Sequence, residues 1–148
     1  MNNFEKQIFD IIKKQISVTP RKSISVIADK IIKKYDNKNK LFIQPCSPYL
    51  TPIGNQKRSD LSLYCPVLNI DWRIECKSRQ TIGLLGEIKS ELDYVANIPE
   101  QLYCLVMTDN LLTPHFLNEL NQNVIEKGLE HKVWIGTAKQ FKKKLKQL

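Results

Sequence analysis

The sequence predicts a single α/β domain, residues 1–148, in which a central mixed sheet is flanked by helices. Amphipathic helical stripes alternate along the chain with short apolar runs of strand length. One run, QLYCLVMT at 101–108, is typical of a central strand buried on both faces. The length suits one domain with a real core, and nothing requires a second.

The N-terminal segment predicts two amphipathic helices. Apolar residues recur at helical spacing over about 3–17, with Asn3 as a possible N-cap. A second helical stripe follows Pro20 and stops at the DNKNK of 36–40.

The next segment predicts a strand, a loop and a hairpin. LFIQP at 41–45 has the composition of a short strand, whereas 46–58 contains prolines and a glycine without periodicity and predicts a long loop. Two alternating runs, 59–65 and 70–77, predict an antiparallel hairpin.

Helices and strands alternate in the second half of the chain. Thr113 as N-cap, Pro114 in the first turn and Gly128 beyond the last turn bound one helix clearly. The predicted elements are a helix within 81–98 that is clearest over 84–95, a strand at 101–108, a helix over 113–128, a strand at 132–137 and a basic amphipathic helix over 138–148.

Composition excludes several classes of protein. No apolar run approaches the roughly 20 residues of a membrane span, and the start MNNFEK lacks a signal-peptide pattern, so we expect a cytoplasmic protein without a membrane partner. The four cysteines lack CxxC spacing and are predicted to be free thiols. His115 and His131 have no partner at metal-ligand spacing, which argues against a zinc site.

The net charge of +8 favours a polyanionic partner, because each neutralised phosphate releases condensed counterions. Lysine-rich surfaces also promote solubility. Charge alone therefore leaves both interpretations open.

The predicted hairpin carries an unusual polar face. Alternation along the second strand sets Glu75 and Lys77 on the side opposite Cys76, which should be in the core. If the hairpin reverses between Val67 and Leu68, Asp60 lies directly opposite Glu75.

Two carboxylates about 4.5–5.5 Å apart at Cβ repel each other, so the pairing needs a reason. Mg²⁺ supplies one, since it binds hard oxygen ligands, typically one or two carboxylates with waters and phosphate. Lys77 could orient or deprotonate a bound water. The alternative is a solvated face on which Arg73 and Lys77 neutralise the acidic residues.

The residues Ser59-Asp60 and Glu75-Cys76-Lys77 resemble the motif of the PD-(D/E)XK nuclease superfamily, which includes many type II restriction enzymes, junction resolvases and some homing endonucleases. The order α, β, β, β, α, β is similar to that family's αβββαβ core once the second helix is set aside as an insertion. The last helix, strand and helix are additions. Ser59 stands where the family name has proline.

The resemblance implies a Mg²⁺-dependent DNA endonuclease, with Mn²⁺ expected to substitute. Asp60 and Glu75 would bind the metal, and Lys77 would act on the attacking water. Many members add a carboxylate from the first helix, for which we choose Glu5, with Asp10 and Asp29 as substitutes; a solvated helix face explains each as well. Gln80 could contact the site or a phosphate, or simply begin the next helix.

The substrate is expected to be double-stranded or branched DNA, and RNA shares the same chemistry. Lys57 and Arg58 run directly into the catalytic strand and are the first choice for phosphate contacts, followed by Lys38, Lys40 and the tail lysines. Cutting both strands would need a homodimer or a larger homo-oligomer. The alternative function is a catalytically inactive DNA-binding or assembly module on the same fold.

Overall fold

The computed structural model describes residues 2–15, 18–20, 41–45, 48–50, 56–65 and 70–147. The predicted second helix lies outside these ranges, as do Lys38, Lys40 and Asp29. The elements are α1 (Asn3–Gln15), β1 (Val18–Pro20), β2 (Leu41–Pro45), β3 (Pro48–Leu50), β4 (Gln56–Arg58), β5 (Leu61–Cys65), β6 (Ile70–Lys77), α2 (Leu84–Val95), β7 (Leu102–Met107), α3 (Pro114–Glu126), β8 (Val133–Thr137) and α4 (Ala138–Lys146).

A six-stranded mixed sheet organises the described part of the chain. Its order is β1-β2-β5-β6-β7-β8, and β3 pairs separately with β4. Strand β5 is antiparallel to both β2 and β6. Strands β6, β7 and β8 run parallel, and β1 is parallel to β2. The predicted α/β class with a mixed sheet flanked by helices is confirmed.

The strand β7 shows why a continuous apolar run forms a central strand. Cys104 and Val106 belong to the core on one face of the sheet, and Tyr103, Leu105 and Met107 belong to the core on the other face. Each of these side chains is buried. A strand covered on both faces has no position for a solvent-facing residue, so the run is apolar at every position.

Helices cover both faces of the sheet. Helices α1 and α4 cover one face with an apolar core, which includes Ile8 and Phe141. Helices α2 and α3 cover the other face, with Ile88 and Leu120 in the core. Lys144 of α4 lies 5.0 Å from the ring centre of Trp72, so one tail lysine packs over an aromatic ring of the core.

The helix ends follow capping chemistry. Asn2, rather than the expected Asn3, caps α1: its Oδ1 accepts a hydrogen bond from the backbone N–H of Glu5 at 2.8 Å, and Glu5 Oε2 accepts from the N–H of Asn2 at 3.2 Å. The predicted Thr113 cap is confirmed, because its hydroxyl accepts from the N–H of Phe116. A second capping box, Thr137 with Gln140, starts α4 directly after β8.

Two short pairings were not predicted. Val18–Pro20 forms the edge strand β1, and the predicted loop 46–58 contains β3 and β4, paired as a small antiparallel ribbon. Three residues are too few to show a period, and proline weakens any strand prediction. These strands are specified by their partners rather than by local pattern.

Among the helices of the described ranges, none has both the length and the apolar composition of a membrane span.

Candidate active site

The predicted hairpin register is confirmed. Leu61 pairs with Ile74 and Tyr64 pairs with Asp71, which is the alignment expected for a reversal between Val67 and Leu68. Extending this register by one residue sets Asp60 opposite Glu75. The candidate residues therefore meet where β5 begins and β6 ends.

Asp60 is anchored to β6 by its side chain. It lies in a bend just before β5, and its Oδ2 accepts a hydrogen bond from the backbone N–H of Cys76 at 2.8 Å. The contact ties the carboxylate to the strand that carries Glu75 and Lys77. Cys76 itself lies in the apolar core as a free thiol, as predicted.

Glu75 is a buried carboxyl, with 7% of its surface exposed. Burial raises its pKa well above the ordinary value, and the nearby carboxylates of Asp60 and Glu91 raise it further. Hydrogen bonding with Asp60 acts in the same direction, while Lys77 opposes the shift. Holding Glu75 ionised here therefore costs free energy that a cation would recover.

Glu5, in the first helix, interacts with the carboxylate of Asp60. Burial raises its pKa, and Asp60 raises it further through charge repulsion and hydrogen bonding. The capping contact with Asn2 acts in the opposite direction. Of the other helix candidates, Asp10 is exposed and lines a different surface depression with Lys6 and Lys14.

The acidic residues form two interacting pairs that share Asp60, namely Asp60 with Glu75 and Asp60 with Glu5. Across the described ranges, no three or more His, Cys, Asp or Glu side chains are arranged to hold a metal ion together. Mg²⁺ requires only one or two carboxylates when water and phosphate oxygens complete its shell. The pairs supply hard oxygen donors that repel one another when ionised, which suits that ion.

Lys77 lies at the same end of β6, and its ammonium contacts α2. Its Nζ lies 3.0 Å from Glu91 Oε1 and 3.2 Å from Glu87 Oε1. Burial lowers the pKa of Lys77, but Glu91 and Glu87 raise it by more, so it stands above its ordinary value. Lys77 is a protonated cation, which favours hydrogen-bond donation over general-base action.

Three residues at the site were missed at the sequence level. Glu87 and Glu91 contact Lys77, and the hydroxyl of buried Tyr103 donates to Glu91 Oε2 at 3.1 Å. The glutamates are four residues apart and therefore share one face of α2. That spacing was a usable signal, but only the tertiary contacts of the two glutamates with Lys77 show what they bind.

The polar face of β6 is covered, so the solvated-face alternative is wrong for much of it. Arg73 is fully buried and forms an ion pair with Glu100 at the start of β7. Asp71, beside them, has its pKa raised to about 6 by burial and by the charge of Glu100, with Arg73 opposing. Buried or half-buried charged residues therefore run along this face of β6.

An open cleft of about 770 Å³ adjoins Lys77 at the carboxyl ends of β6 and β7. Ligands commonly bind at this edge of an open α/β sheet. The lining residues are Asn2, Asn3, Phe4, Gln7, Cys76, Lys77, Ser78, Arg79, Thr81, Leu84, Glu87 and Thr108. Amide, hydroxyl and guanidinium groups therefore surround a space large enough for a nucleotide.

The described residues that line this cleft do not include the remaining candidates. Gln80 is exposed between β6 and α2, while its neighbours Arg79 and Thr81 line the cleft. Lys57 and Arg58 lie in β4, paired with Tyr49 and Pro48, and Ser59 joins this strand to Asp60. Lys57 and Arg58, the first choice for phosphate contacts, therefore closely precede Asp60 in the sequence.

Comparison with known proteins gives no assignment: no family model, no curated protein and no solved structure matches the chain.

Proposed function

We propose that this protein is a Mg²⁺-dependent DNA endonuclease with a restriction endonuclease-like αβββαβ core. The observation that carries the proposal is the β5–β6 register, which sets Asp60 opposite Glu75 with Lys77 at the same strand end. Maintaining buried, repelling carboxylates costs stability that an apolar pair would not. A bound cation and a phosphodiester account for that cost.

Asp60 and Glu75 would hold the metal, and the hydrogen bond from the Cys76 N–H keeps Asp60 directed toward Glu75. When bound, Mg²⁺ lowers the pKa of water and neutralises charge on phosphate oxygens. Glu5 completes the acidic edge from α1 and orients water beside Asp60. Placement on paired strands holds these groups rigidly.

Lys77 acts in this mechanism as an ammonium donor. Its ion pairs with Glu87 and Glu91 keep it charged and use two of its three N–H donors, so the third can donate a hydrogen bond to the attacking water or to a phosphate oxygen. The adjoining cleft would receive the scissile strand, with Arg79 as a further cation at its wall. Lys57 and Arg58 would contact flanking phosphates.

The test is incubation of the chain with supercoiled, linear and branched DNA in Mg²⁺, Mn²⁺ or EDTA. We expect metal-dependent cleavage that falls at least about 100-fold in Glu75→Gln, because a charged ligand is lost while shape is kept. Glu126→Gln, exposed near the end of α3, is the matched control and should cleave normally. No metal-dependent product from any substrate would refute the proposal.

The second candidate is an inactive DNA-binding or assembly module, which the lysine-rich helix α4 favours. Exposed lysines 139, 142, 143 and 146 occupy this helix, which contains no acidic residue. Under this function Asp60→Asn and Glu75→Gln would leave every measured property except stability unchanged. A nuclease that acts on RNA would share the same site, and an RNA substrate in the same assay would distinguish it.

A homodimer or a higher homo-oligomer is proposed for cutting both strands, because the described residues of one chain supply one acidic edge. Sedimentation of the free chain and of the DNA complex would test it. Linear product that forms without a nicked intermediate is the outcome expected of paired sites.

A further inference from the structure

We propose that Glu91, itself fixed by Tyr103, is the positioning residue that holds Lys77 toward the reacting phosphate. This inference rests on the proposed nuclease function and assigns roles to two residues outside the carboxylate–lysine motif. It depends on a continuous chain of contacts through β7, α2 and β6.

The two carboxylate oxygens of Glu91 contact different residues. Oε2 accepts from the Tyr103 hydroxyl at 3.1 Å, and Oε1 lies 3.0 Å from Lys77 Nζ. A carboxylate held from one side by the sheet therefore presents its other oxygen to the lysine. Both contacts must be made for the lysine to have a defined direction.

The contact between Glu91 and Lys77 is more buried than the contact between Glu87 and Lys77. The side chains of Glu91 and Lys77 are each 17% exposed and Tyr103 is 1% exposed, whereas Glu87 is 55% exposed. Ion pairs that are open to water contribute little, and partly buried networks contribute more. Glu91 is thus the anchor, and Glu87 is a weaker second contact.

The functional consequence follows from the length of the lysine side chain. A lysine has four rotatable bonds, and ordering it costs rotamer entropy. The Tyr103–Glu91 pair meets that cost before substrate arrives. Its loss should slow the chemical step and leave DNA affinity nearly unchanged.

The experiment compares Glu91→Gln, Tyr103→Phe and Glu87→Gln for single-turnover cleavage rate, DNA Kd in Ca²⁺ and thermal unfolding. We expect Glu91→Gln to cleave about 10–100-fold more slowly, with Kd within about twofold. The cleavage rate should fall about 3–10-fold in Tyr103→Phe and at most about threefold in Glu87→Gln. In the Glu91→Gln background, Tyr103→Phe should add nothing, because it acts through Glu91.

A substrate-free measurement separates this inference from the nuclease proposal. The ¹⁵Nζ ammonium signal of Lys77 should be observable in the native chain and in Glu87→Gln, and lost in Glu91→Gln. An unchanged Lys77 signal in Glu91→Gln, with native cleavage retained, would overturn the positioning role alone. An inactive native chain would overturn the nuclease function and the role together, whatever the signal.

Discussion

Single side chains determine the chemistry of this molecule. Leucine in place of Glu75 would lie beside Leu105, which belongs to the apolar core, and would remove a desolvated carboxylate. The native residue instead lies beside Asp60 and Glu91, which raise its pKa. A residue that lowers stability without improving packing is expected at a functional site.

Asp71 provides a stability test at the opposite end of β6. Its native pKa of about 6 exceeds the ordinary value of 3.8, so the native state retains a proton that the unfolded chain releases between these values. Stability from this group therefore falls as pH rises from about 4 to 6.

Asp71→Asn should leave the free energy of unfolding unchanged below about pH 4 and raise it above pH 6. The shift corresponds to at most about 3 kcal/mol, and partial solvent access reduces this to about 1–2 kcal/mol. Urea unfolding at pH 4 and pH 7 measures it. Asp109→Asn, at an exposed position, is the control, and an equal gain in both variants would contradict the assignment to Asp71.

At the scale of elements, the junction of β8 and α4 depends on one glycine. A Cβ built on Gly136 would lie 2.5 Å from Trp134 Cη2 and 2.8 Å from Gln140 Oε1. Trp134 packs against Phe141 of α4, and Gln140 completes the capping box with Thr137. Both neighbours are therefore constrained.

Gly136→Ala should lower the free energy of unfolding by about 1–3 kcal/mol through overpacking. Gly86→Ala should instead raise it by about 0.5–1 kcal/mol, because Gly86 is helical and open space surrounds its Cβ position. Chemical denaturation of the pair measures the difference. Similar effects for both substitutions would show that the contacts of Gly136 do not matter.

Helix α2 has a role beyond packing. Leu84, Ile88, Leu92 and Val95 face the core, and Glu87 and Glu91 extend from the same helix to Lys77. The apolar stripe fixes which way the acidic residues point. One amphipathic pattern therefore both folds the helix and places its charges.

At the scale of the whole molecule, the basic surface predicts salt-dependent binding. If Lys57 and Arg58 contact phosphates, the Lys57→Ala/Arg58→Ala variant should lower the slope of log Kd against log salt by about 2. Fluorescence anisotropy on cleavage-defective Glu75→Gln separates binding from cutting. Lys89→Gln, whose lysine is paired with Glu119, is the control. An unchanged slope in the double variant would move the DNA-binding surface elsewhere, such as α4.

Long periodic elements were predictable because their signals are local. Helix α2 begins and ends at the residues where its periodicity was clearest, and Thr113 and Pro114 fixed the start of α3. The hairpin was also predictable, and its register followed once the reversal was assumed to lie between Val67 and Leu68. With that reversal point, the sequence predicts that Asp60 lies opposite Glu75.

Other features depended on groups distant in sequence. Strand β1 forms because it pairs with β2. On the polar face of β6, Lys77 is partly covered because Glu91 of α2 contacts it. The sequence alone determined the α/β class and the hairpin, since these depend on alternation, spacing and capping, and it indicated the acidic pair for one assumed reversal point. Only the tertiary structure decided that Lys77 is held by Glu91 and Tyr103, because burial and through-space charge arise when separate elements pack together.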